Sequence, residues 1–279
     1  MKVAIIGVGL IGGSMALALK QKIPGLTVIG VDANVSHRET ALKLGLVDEI
    51  KEFDVAVQEA DVIILAVPVD VALKLLPKVL DEITIQVVMD VGSTKTEVYA
   101  AAQSNKNAGR FVSTHPMWGT EFSGPSAAVE GAFVNKAVVI CDKQTCDDDA
   151  LLVVEDIYRL LGMHIIYMDS KSHDLHAAYV SHISHITSFA LANTVLEKEK
   201  EDDAIFELAS GGFESTVRLA KSNAAMWVPI FMQNKENVLD VLNEHISQLK
   251  KFKSCLEKEN FEYMAELIEK ANTINRILK

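Results

Sequence analysis

A glycine-rich turn near the start of the chain constrains the fold more than any other feature. The apolar residues 3–6 lead into Gly7-Val8-Gly9-Leu10-Ile11-Gly12-Gly13, and residues 14–20 then contain neither glycine nor proline. This order predicts a strand, a tight turn and a helix. Gly7 would allow the turn, Gly9 would let a ligand approach the backbone, and Gly12 would let the helix pack closely on the strand. The pattern is typical of a dinucleotide-binding fold.

An acidic residue at the expected distance supports a dinucleotide site. Asp32 ends a second β-branched run and lies 20 positions after Gly12. Its carboxylate would accept hydrogen bonds from both ribose hydroxyls and would repel a 2′-phosphate, so the pattern predicts NAD rather than NADP. The free N–H groups at the start of the helix, around Leu10 and Ile11, would bind the pyrophosphate. Arg38 is close enough in sequence to weaken the preference, and a glycine-rich turn that binds nothing is the alternative.

Composition limits the classes of protein to which the chain can belong. With 279 residues, of which 49% are hydrophobic, the chain can build one large domain or two of ordinary size. The net charge of −11 argues against nucleic acid or an anionic membrane as the principal partner. Three cysteines without metal-ligand spacing favour a reducing compartment, and no apolar stretch approaches the roughly 18 residues that span a bilayer. We therefore expect a cytoplasmic protein.

Two kinds of hydrophobic pattern divide the chain. In residues 1–169, short β-branched runs alternate with helical stretches. The runs are 3–6, 28–31, 62–67, 87–91, 111–114, 137–140 and 164–168. They predict an α/β fold with a largely parallel sheet, here an N-terminal Rossmann-type domain that binds NAD. In residues 170–279, apolar residues recur every three or four positions, which predicts an all-helical C-terminal domain. Such helices bury little surface alone, so we expect this domain to pair with a second subunit in a homodimer.

The residues that follow each run are candidates for a site, because ligands in such sheets bind at the carboxyl ends of the strands. Ala66 and Val67 close the third run, Pro68 follows it, and His115 follows the fifth. A histidine there, with a pKa near neutrality, can take a proton from a hydroxyl group while hydride leaves the same carbon. The alternative is a loop histidine that stacks on Trp118 or caps a turn.

Four further side chains are candidates for the same region. Ser93 could hold the imidazole or a substrate hydroxyl, or could instead cap a helix. Arg218 has a guanidinium group that suits a carboxylate, although a surface salt bridge is its default role. His182 and His185 share one face of a helix predicted over residues 176–196. Because no third ligand of suitable spacing accompanies them, we expect buried, hydrogen-bonded histidines and no metal site.

Longer motifs extend the pattern over essentially the whole chain. They are GVGLIGGS at the start, DVGSTK at 90–95, HPMWGTEFSGP at 115–125, SHISH at 181–185, GGFESTVRLAKS at 211–222, and MW at 226–227 with NKENV at 234–238. In these motifs the sequence resembles the prephenate dehydrogenases, a family that includes the arogenate and cyclohexadienyl dehydrogenases. The resemblance implies an NAD(P)-binding domain followed by a helical, dimerising domain, with the substrate in the cleft between them.

The resemblance also implies a reaction, the NAD-dependent oxidative decarboxylation of prephenate to 4-hydroxyphenylpyruvate in tyrosine biosynthesis. By its place in the motifs, His115 would bind the C4 hydroxyl and remove its proton. Ser93 would orient His115 or that hydroxyl. Arg218 would anchor a carboxylate, and Glu121 would be an acidic gate at the mouth of the pocket.

Further assignments follow from the resemblance. His185 would contact the substrate, and His182 is placed in the same site, chiefly to support helix packing. Residues 66–68 would pass beneath the nicotinamide ribose. The sequence departs from many relatives at Ser215, where they carry an acidic residue, and at Trp118, whose bulk would narrow the pocket.

Other functions stay open at the level of sequence. The same chemistry on arogenate differs only by an amino group on the side chain, and an acid such as Glu121 could favour the amine. A β-hydroxyacid-type dehydrogenase shares the strand–helix opening and a helical domain. Such enzymes typically rely on a lysine on the long helix, where this chain has histidines. A protein that binds NAD without turnover is the remaining alternative.

Overall fold

The computed structural model describes residues 1–199 and 208–276. The chain groups into two compact units, Met1–Asn234 and Lys235–Lys279. The sheet and all the candidate site residues lie in the first unit. The predicted domain boundary after residue 169 falls inside that unit and stays a prediction.

The first unit is built around a sheet of eight strands. These are β1 (Lys2–Ile6), β2 (Thr27–Val31), β3 (Glu49–Ile50), β4 (Val62–Leu65), β5 (Val87–Asp90), β6 (Phe111–Pro116), β7 (Ala137–Cys141) and β8 (His164–Met168). Their order is β3-β2-β1-β4-β5-β6-β7-β8, and all neighbours are parallel except β6 and β7. Every predicted run forms a strand, which confirms the α/β fold class. Among the strands of the described residues, only the two-residue strand β3 is not predicted.

Twelve α-helices lie within residues 1–199 and 208–276. They are α1 (Leu10–Lys22), α2 (Val35–Lys43), α3 (Phe53–Glu59), α4 (Val69–Glu82), α5 (Thr96–Gln103), α6 (Asp148–Leu160), α7 (Ser170–Ala177), α8 (Ile183–Glu199), α9 (Gly211–Val217), α10 (Ala224–Gln233), α11 (Lys235–Glu257) and α12 (Phe261–Asn272). Helices α11 and α12 belong to the second unit. In the described part of the chain, no helix is both long and apolar enough to cross a membrane.

Alternate residues of the central strands enter two hydrophobic cores, one on each face of the sheet. Val3 and Ile5 of β1 pack with Met15 of α1 in one core. Ala4 and Ile6 pack in the other core. Because successive side chains of a strand point to opposite faces, a strand covered on both sides needs apolar residues at every position. This is why continuous β-branched runs mark the strands in the sequence.

A π-helical turn, Ala178–His182, joins α7 to α8. The chain is therefore helical from Ser170 to Glu199, a longer stretch than the helix predicted over residues 176–196. A π turn holds an extra residue, so the side chains on its two sides are rotated relative to one another about the helix axis. His182 lies in this turn and His185 lies one turn after it.

Candidate active site

The glycine-rich turn has a packed side and an open side. Gly7 has a φ of +98°, and a Cβ atom there would lie 2.4 Å from the carbonyl oxygen of Ala66. A Cβ atom on Gly12 would lie 2.1 Å from the carbonyl oxygen of Gly7, because α1 packs directly on the turn. A Cβ atom on Gly9 would meet no atom within 4 Å. A ligand can therefore approach the backbone at Gly9.

Helix α1 begins immediately after Gly9 and presents its N-terminus at the open side. The first turn, which starts with Leu10 and Ile11, contains no acidic residue. The N–H groups of a first helical turn have no partner within their helix, and the helix dipole places partial positive charge there. This end of α1 is suited to an anionic group such as a pyrophosphate.

Asp32 is held directly after β2, beside the glycine-rich turn. Its Oδ2 accepts a hydrogen bond from the backbone N–H of Val8 at 3.1 Å, and its Oδ1 accepts one from that of Asn34 at 2.8 Å. Arg38 is directed towards another carboxylate, with Nη1 3.9 Å from Oε1 of Glu52. The acidic group is therefore fixed at the edge of the turn, and Arg38 does not neutralise it.

Residues 66–68 connect β4 to α4 at the same edge of the sheet. The backbone N–H of Ala66 donates to the carbonyl oxygen of Ile6 at 2.8 Å, which places this connection beside the glycine-rich turn. Pro68 directly precedes the first residue of α4. The structure thus brings together the three segments that contain all the predicted cofactor residues, 7–12, 32 and 66–68.

His115 lies near the end of β6 and is the first member of a chain of three hydrogen-bonded side chains. Its Nδ1 lies 2.8 Å from Nε2 of His173, and Nδ1 of His173 lies 2.8 Å from Oδ1 of Asp174. Burial first, and then the basic groups around the ring, hold the pKa of His115 well below its usual value of 6.5. His115 is therefore neutral at neutral pH, the state that can accept a proton.

Asp174 connects this chain to the start of α5. Its Oδ1 accepts a hydrogen bond from the backbone N–H of Lys95 at 2.8 Å, and its Oδ2 accepts one from that of Thr96 at 2.9 Å. Burial raises the pKa of Asp174, but hydrogen bonds from His173 and Thr96 outweigh it and leave the pKa below its ordinary value. Asp174 is therefore ionised and caps α5. The capping role considered for Ser93 is wrong, and the half-buried Ser93 hydroxyl has no hydrogen-bond partner in the described ranges.

Lys95 is fully buried and forms an ion pair with Asp90. Its Nζ also donates to the carbonyl oxygen of Thr114 at 2.6 Å, and Asp90 accepts hydrogen bonds from the backbone N–H groups of Gly92 and Thr114. A buried charge is tolerated when it is paired and hydrogen-bonded in this way. The pair links the end of β5 to β6 at the residue before His115.

His182 and His185 both contact Trp227. His185 stacks on the indole ring with centroids 3.4 Å apart, and His182 meets it edge-on at 5.9 Å. Nδ1 of His182 lies 3.1 Å from Nδ2 of Asn234, which also donates to the carbonyl oxygen of Asp174 at 2.7 Å. Burial lowers the pKa of His185, and it lowers that of His182 to about 4. The buried indole N–H of Trp227 has no hydrogen-bond partner among the residues described, so it is a free donor beside His185.

Arg218 and Glu121 form an ion pair, with Nη1 of Arg218 3.0 Å from Oε2 of Glu121. The guanidinium group is half-exposed and the carboxylate is largely covered. The backbone N–H of Glu121 itself, together with Arg218, lowers the pKa of Glu121. Ser215 donates its hydroxyl hydrogen to the carbonyl oxygen of Gly212 instead. Glu121 is therefore the acidic partner of Arg218 in this chain.

Trp118 packs against the hydrophobic core beside Phe133, with ring centroids 5.4 Å apart. Its predicted alternative role, to stack on His115, is wrong, because the ring that meets His115 is that of His173, with centroids 5.0 Å apart. The core accommodates the bulk of Trp118.

Several residues of this region are not among the predicted site residues, and His173, Asp174 and Trp227 are the ones that contact predicted site residues through their rings or hydrogen bonds. The sequence offers a weak signal for the first two, a histidine next to an aspartate at the start of the helical region. Trp227 follows Met226 in a short motif without a chemical signature of its own. Within residues 1–199 and 208–276, no three side chains of the histidine, cysteine or carboxylate types are grouped as metal ligands.

The fold and this site define a dinucleotide-binding oxidoreductase with a helical C-terminal region. A family model described as "Prephenate dehydrogenase, nucleotide-binding domain" matches residues 15–167. A second, described as "Prephenate dehydrogenase, dimerization domain", matches residues 169–270. The chain belongs to the prephenate dehydrogenase family, which confirms the family predicted from the motifs.

Individual relatives support the same assignment. A prephenate dehydrogenase of Bacillus subtilis is 34% identical over 93% of this chain and 71% of the relative. A cyclohexadienyl dehydrogenase of Zymomonas mobilis is 31% identical over 99% of this chain and 96% of the relative. The crystal structure of prephenate dehydrogenase from A. aeolicus in complex with hydroxyphenyl propionate and NAD⁺ is 28% identical, with a TM-score of 0.88 over 100% of this chain and 98% of that chain.

Proposed function

We propose that this protein is an NAD-dependent prephenate dehydrogenase, which converts prephenate and NAD⁺ to 4-hydroxyphenylpyruvate, CO₂ and NADH in tyrosine biosynthesis. The observation that carries the proposal is the state of His115. It is a half-buried, neutral imidazole, bonded to His173 through Nδ1, at the strand edge where the glycine-rich turn lies. A general base for a hydroxyl group needs this protonation state and this place in the fold.

The cofactor fits the residues at the sheet edge. The backbone around Gly9, with the N–H groups of Leu10 and Ile11, would hold the pyrophosphate, while Gly7 and Gly12 shape the turn. Asp32 would bind the adenosine ribose, and its charge favours NAD over NADP. Residues 66–68 would pass beneath the nicotinamide ribose. When bound, NAD⁺ supplies the acceptor for the hydride that leaves C4 of the substrate.

His115 would carry out the proton transfer. Its Nε2 takes the proton of the C4 hydroxyl as the C4–H bond breaks, so that the carbon becomes a carbonyl. The ring carboxylate then leaves as CO₂, and the electron pair of the broken C–C bond makes the ring aromatic. His115 returns the proton to the ring oxygen, which gives the phenol. Ser93, with its uncommitted hydroxyl, would orient His115 or the C4 hydroxyl.

The remaining residues would hold the substrate side chain and its carboxylates. Arg218 uses one nitrogen for Glu121, which leaves other N–H groups of its guanidinium for a carboxylate. Glu121 would act as a gate, because opening the ion pair would free the whole guanidinium group. His185 would contact the substrate beside Trp227, and His182 would support the packing of these rings.

Arogenate is the second candidate substrate, and one observation favours it. Glu121 is ionised and largely covered, so it could bind the side-chain ammonium group that distinguishes arogenate from prephenate. The ion pair between Glu121 and Arg218 supports prephenate instead, because the guanidinium group neutralises the carboxylate charge that would bind the ammonium group of arogenate.

The test is NADH formation, followed by absorbance, with NAD⁺ plus prephenate beside NAD⁺ plus arogenate. Each substrate is also offered with NADP⁺. We expect a fast signal with NAD⁺ and prephenate and a weaker signal with NADP⁺. A signal with arogenate alone would keep the mechanism and change the substrate. No NADH formation with either substrate would overturn the proposal in favour of a protein that binds NAD without turnover.

We also propose a homodimer formed through the helical region. The match of residues 169–270 to a dimerization-domain model supports it. Large apolar side chains exposed on α11 and α12, among them Leu256 and Phe261, support it further. Size-exclusion chromatography with light scattering should give twice the mass of the chain. The mass of a single chain would contradict the proposal.

A cytoplasmic location is the final part of the proposal. Cys141, Cys146 and Cys255 are all free thiols, and Cys141 and Cys255 are buried. Free cysteines are typical of proteins in a reducing compartment.

A further inference from the structure

We propose that His173 and Asp174 are positioning residues for the reaction. They fix the tautomer of His115, and they accept its Nδ1 hydrogen when its Nε2 takes the proton of the substrate. This inference rests on the proposed function, because the proton in question is that of the substrate hydroxyl. The inference goes beyond the proposed function, because it assigns a role to two residues that lie outside the sequence motifs and do not bind the substrate.

The side chain of Asp174 can only accept hydrogen bonds. The carboxylate is buried and ionised, and its oxygens face the backbone N–H groups of Lys95 and Thr96 and Nδ1 of His173. An ionised carboxylate has no hydrogen to donate, so Nδ1 of His173 must carry the hydrogen of that bond. When the ring of His173 carries no charge, its Nε2 then has only a lone pair.

The position of the hydrogen on His173 in turn determines its position on His115. Nε2 of His173 lies 2.8 Å from Nδ1 of His115, and a lone pair on the first requires a hydrogen on the second. A neutral imidazole carries one hydrogen, so Nε2 of His115 keeps its lone pair. Among the described residues, Nε2 of His115 has no hydrogen-bond partner, and it is the atom that would receive the substrate proton.

The three hydrogen-bonded side chains also allow the positive charge to move from His115 to His173. When Nε2 of His115 gains the hydroxyl proton, the hydrogen on Nδ1 can move to Nε2 of His173. The positive charge then lies on His173, next to the carboxylate of Asp174. The reverse shifts restore both neutral rings as His115 returns the proton to the ring oxygen, so no proton is gained or lost overall.

The surrounding charges explain why such a partner is needed. His115 is half-buried near the ammonium group of Lys95 and the ring of His182, and positive charge on its own ring is costly there. The carboxylate of Asp90 is committed to Lys95. Asp174 is the carboxylate connected to His115, and its bonds to the start of α5 keep it in place.

The first test uses the unaltered protein without ligands. Two-bond ¹H–¹⁵N NMR spectra of the histidine rings at pH 7.5 report which nitrogen carries the hydrogen, and the spectrum of a His115→Asn variant identifies the His115 signals. We expect the hydrogen on Nδ1 of His115. A hydrogen on Nε2 overturns the inference, whether or not prephenate is turned over, so the result is independent of the proposed function.

The second test compares variants of two histidines on α7. His173→Leu removes the acceptor and should lower kcat by about 10²- to 10⁴-fold, the range for loss of general-base catalysis, with little change in KM or NAD⁺ affinity. His173→Gln keeps an acceptor and should recover part of kcat. His176→Leu is the matched control, because exposed His176 bonds, among the residues that the structure describes, only to the carbonyl oxygen of Ser172 in the same helix. Its kcat should not change.

Three outcomes would overturn the inference. The first is a kcat for His173→Leu within about threefold of the unaltered enzyme. The second is an equal loss in His173→Leu and His173→Gln, which would indicate packing rather than hydrogen bonding. The third is an unchanged His115 tautomer in His173→Leu. If that variant does not fold, the spectrum of the unaltered protein decides the question.

Discussion

His115 shows how the surroundings of one side chain prepare it for proton transfer. Burial keeps the ring neutral, and the bond through Nδ1 to His173 orients it. A histidine in water is partly protonated near pH 6.5 and rotates freely. The same residue here has a single protonation state at neutral pH and a defined orientation. Both properties come from tertiary contacts. The protonation state can be detected through the pH dependence of the reaction.

The pH dependence of kcat/KM should show a limb on the acid side that lies below pH 6.5. A general base is active when neutral, and the lowered pKa of His115 moves the loss of activity below the usual range of histidine. Initial rates between about pH 5 and 8, with substrate well below KM, measure this limb. A midpoint above 6.5 would show that the burial of His115 does not control the reaction.

The variant His115→Asn should lose activity without losing the cofactor. We expect kcat to fall by about 10²- to 10⁴-fold, the usual effect of removing a general base. The dissociation constant for NAD⁺, measured by fluorescence titration, should stay near that of the unaltered protein. His164→Asn, on the exposed edge strand β8, is the matched control and should keep full activity. Strong activity in His115→Asn would remove His115 from the proposed role.

Sequence predicts the site residues that stand in distinctive motifs. His115, Arg218 and Glu121 lie in such motifs, and the structure shows the contacts in which each takes part. His173 and Asp174 approach His115 only because α7 packs against α5 and the end of β6, an arrangement that no local pattern encodes. Long-range hydrogen bonds of this kind are the part of the site that one sequence does not reveal.

At the scale of elements, one glycine of the glycine-rich turn is needed for packing and another for ligand binding. A Cβ atom on Gly12 would clash with the carbonyl oxygen of Gly7 at 2.1 Å, whereas one on Gly9 would meet nothing within 4 Å. Gly12→Ala should therefore lower the stability of the protein by about 1–3 kcal/mol, as overpacking does. Gly9→Ala should keep the stability and weaken NAD⁺, because the methyl group would occupy the open side of the turn.

Thermal unfolding and NAD⁺ titration of the two alanine variants measure these effects. The pair forms its own control, because both substitutions add the same methyl group at positions three residues apart. An equal loss of Tm in both variants would contradict the distinction between a packed and an open side.

Elements with strong hydrophobic periodicity can be predicted from the sequence. Very short strands, and turns that differ from an α-helix only in backbone geometry, cannot. The buried strands are visible as β-branched runs because both faces are covered. Strand β3 has two residues, Glu49 and Ile50, and no such run. The π-helical turn before α8 differs from an α-helix by one extra residue, which leaves no trace in composition. That turn nevertheless contains His182 and precedes His185.

The whole molecule must bind an anionic substrate despite a net charge of −11. Repulsion between exposed charges is screened over about 8 Å at physiological ionic strength. Attraction inside a pocket acts at a few ångströms, where Arg218 is half-exposed and retains free donors. The guanidinium donors of Arg218 that Glu121 does not use therefore matter more for binding than the overall charge, and the acidic surface chiefly serves solubility.

The stability of the whole molecule should fall as the pH drops from 6.5 towards 4, in a window set by its buried histidines. The pKa of His182 is about 4 in the folded protein and near 6.5 in an unfolded chain, so the unfolded state binds more protons between these values. Stability is then fully present above pH 6.5 and is lost on acidification. At about pH 5 the loss from His182 alone comes to about 2 kcal/mol relative to pH 7.5.

Urea unfolding of His182→Gln at both pH values tests this origin of the acid sensitivity. Glutamine cannot titrate and can still bond to Asn234, so the difference in the free energy of unfolding between pH 7.5 and pH 5 should shrink by about 2 kcal/mol. His164→Gln changes an exposed histidine and should leave the difference as it is. The carboxylate of Asp174 does not interfere, because its lowered pKa moves its own loss of stability to still lower pH. An unchanged difference in His182→Gln would show that other groups cause the acid sensitivity.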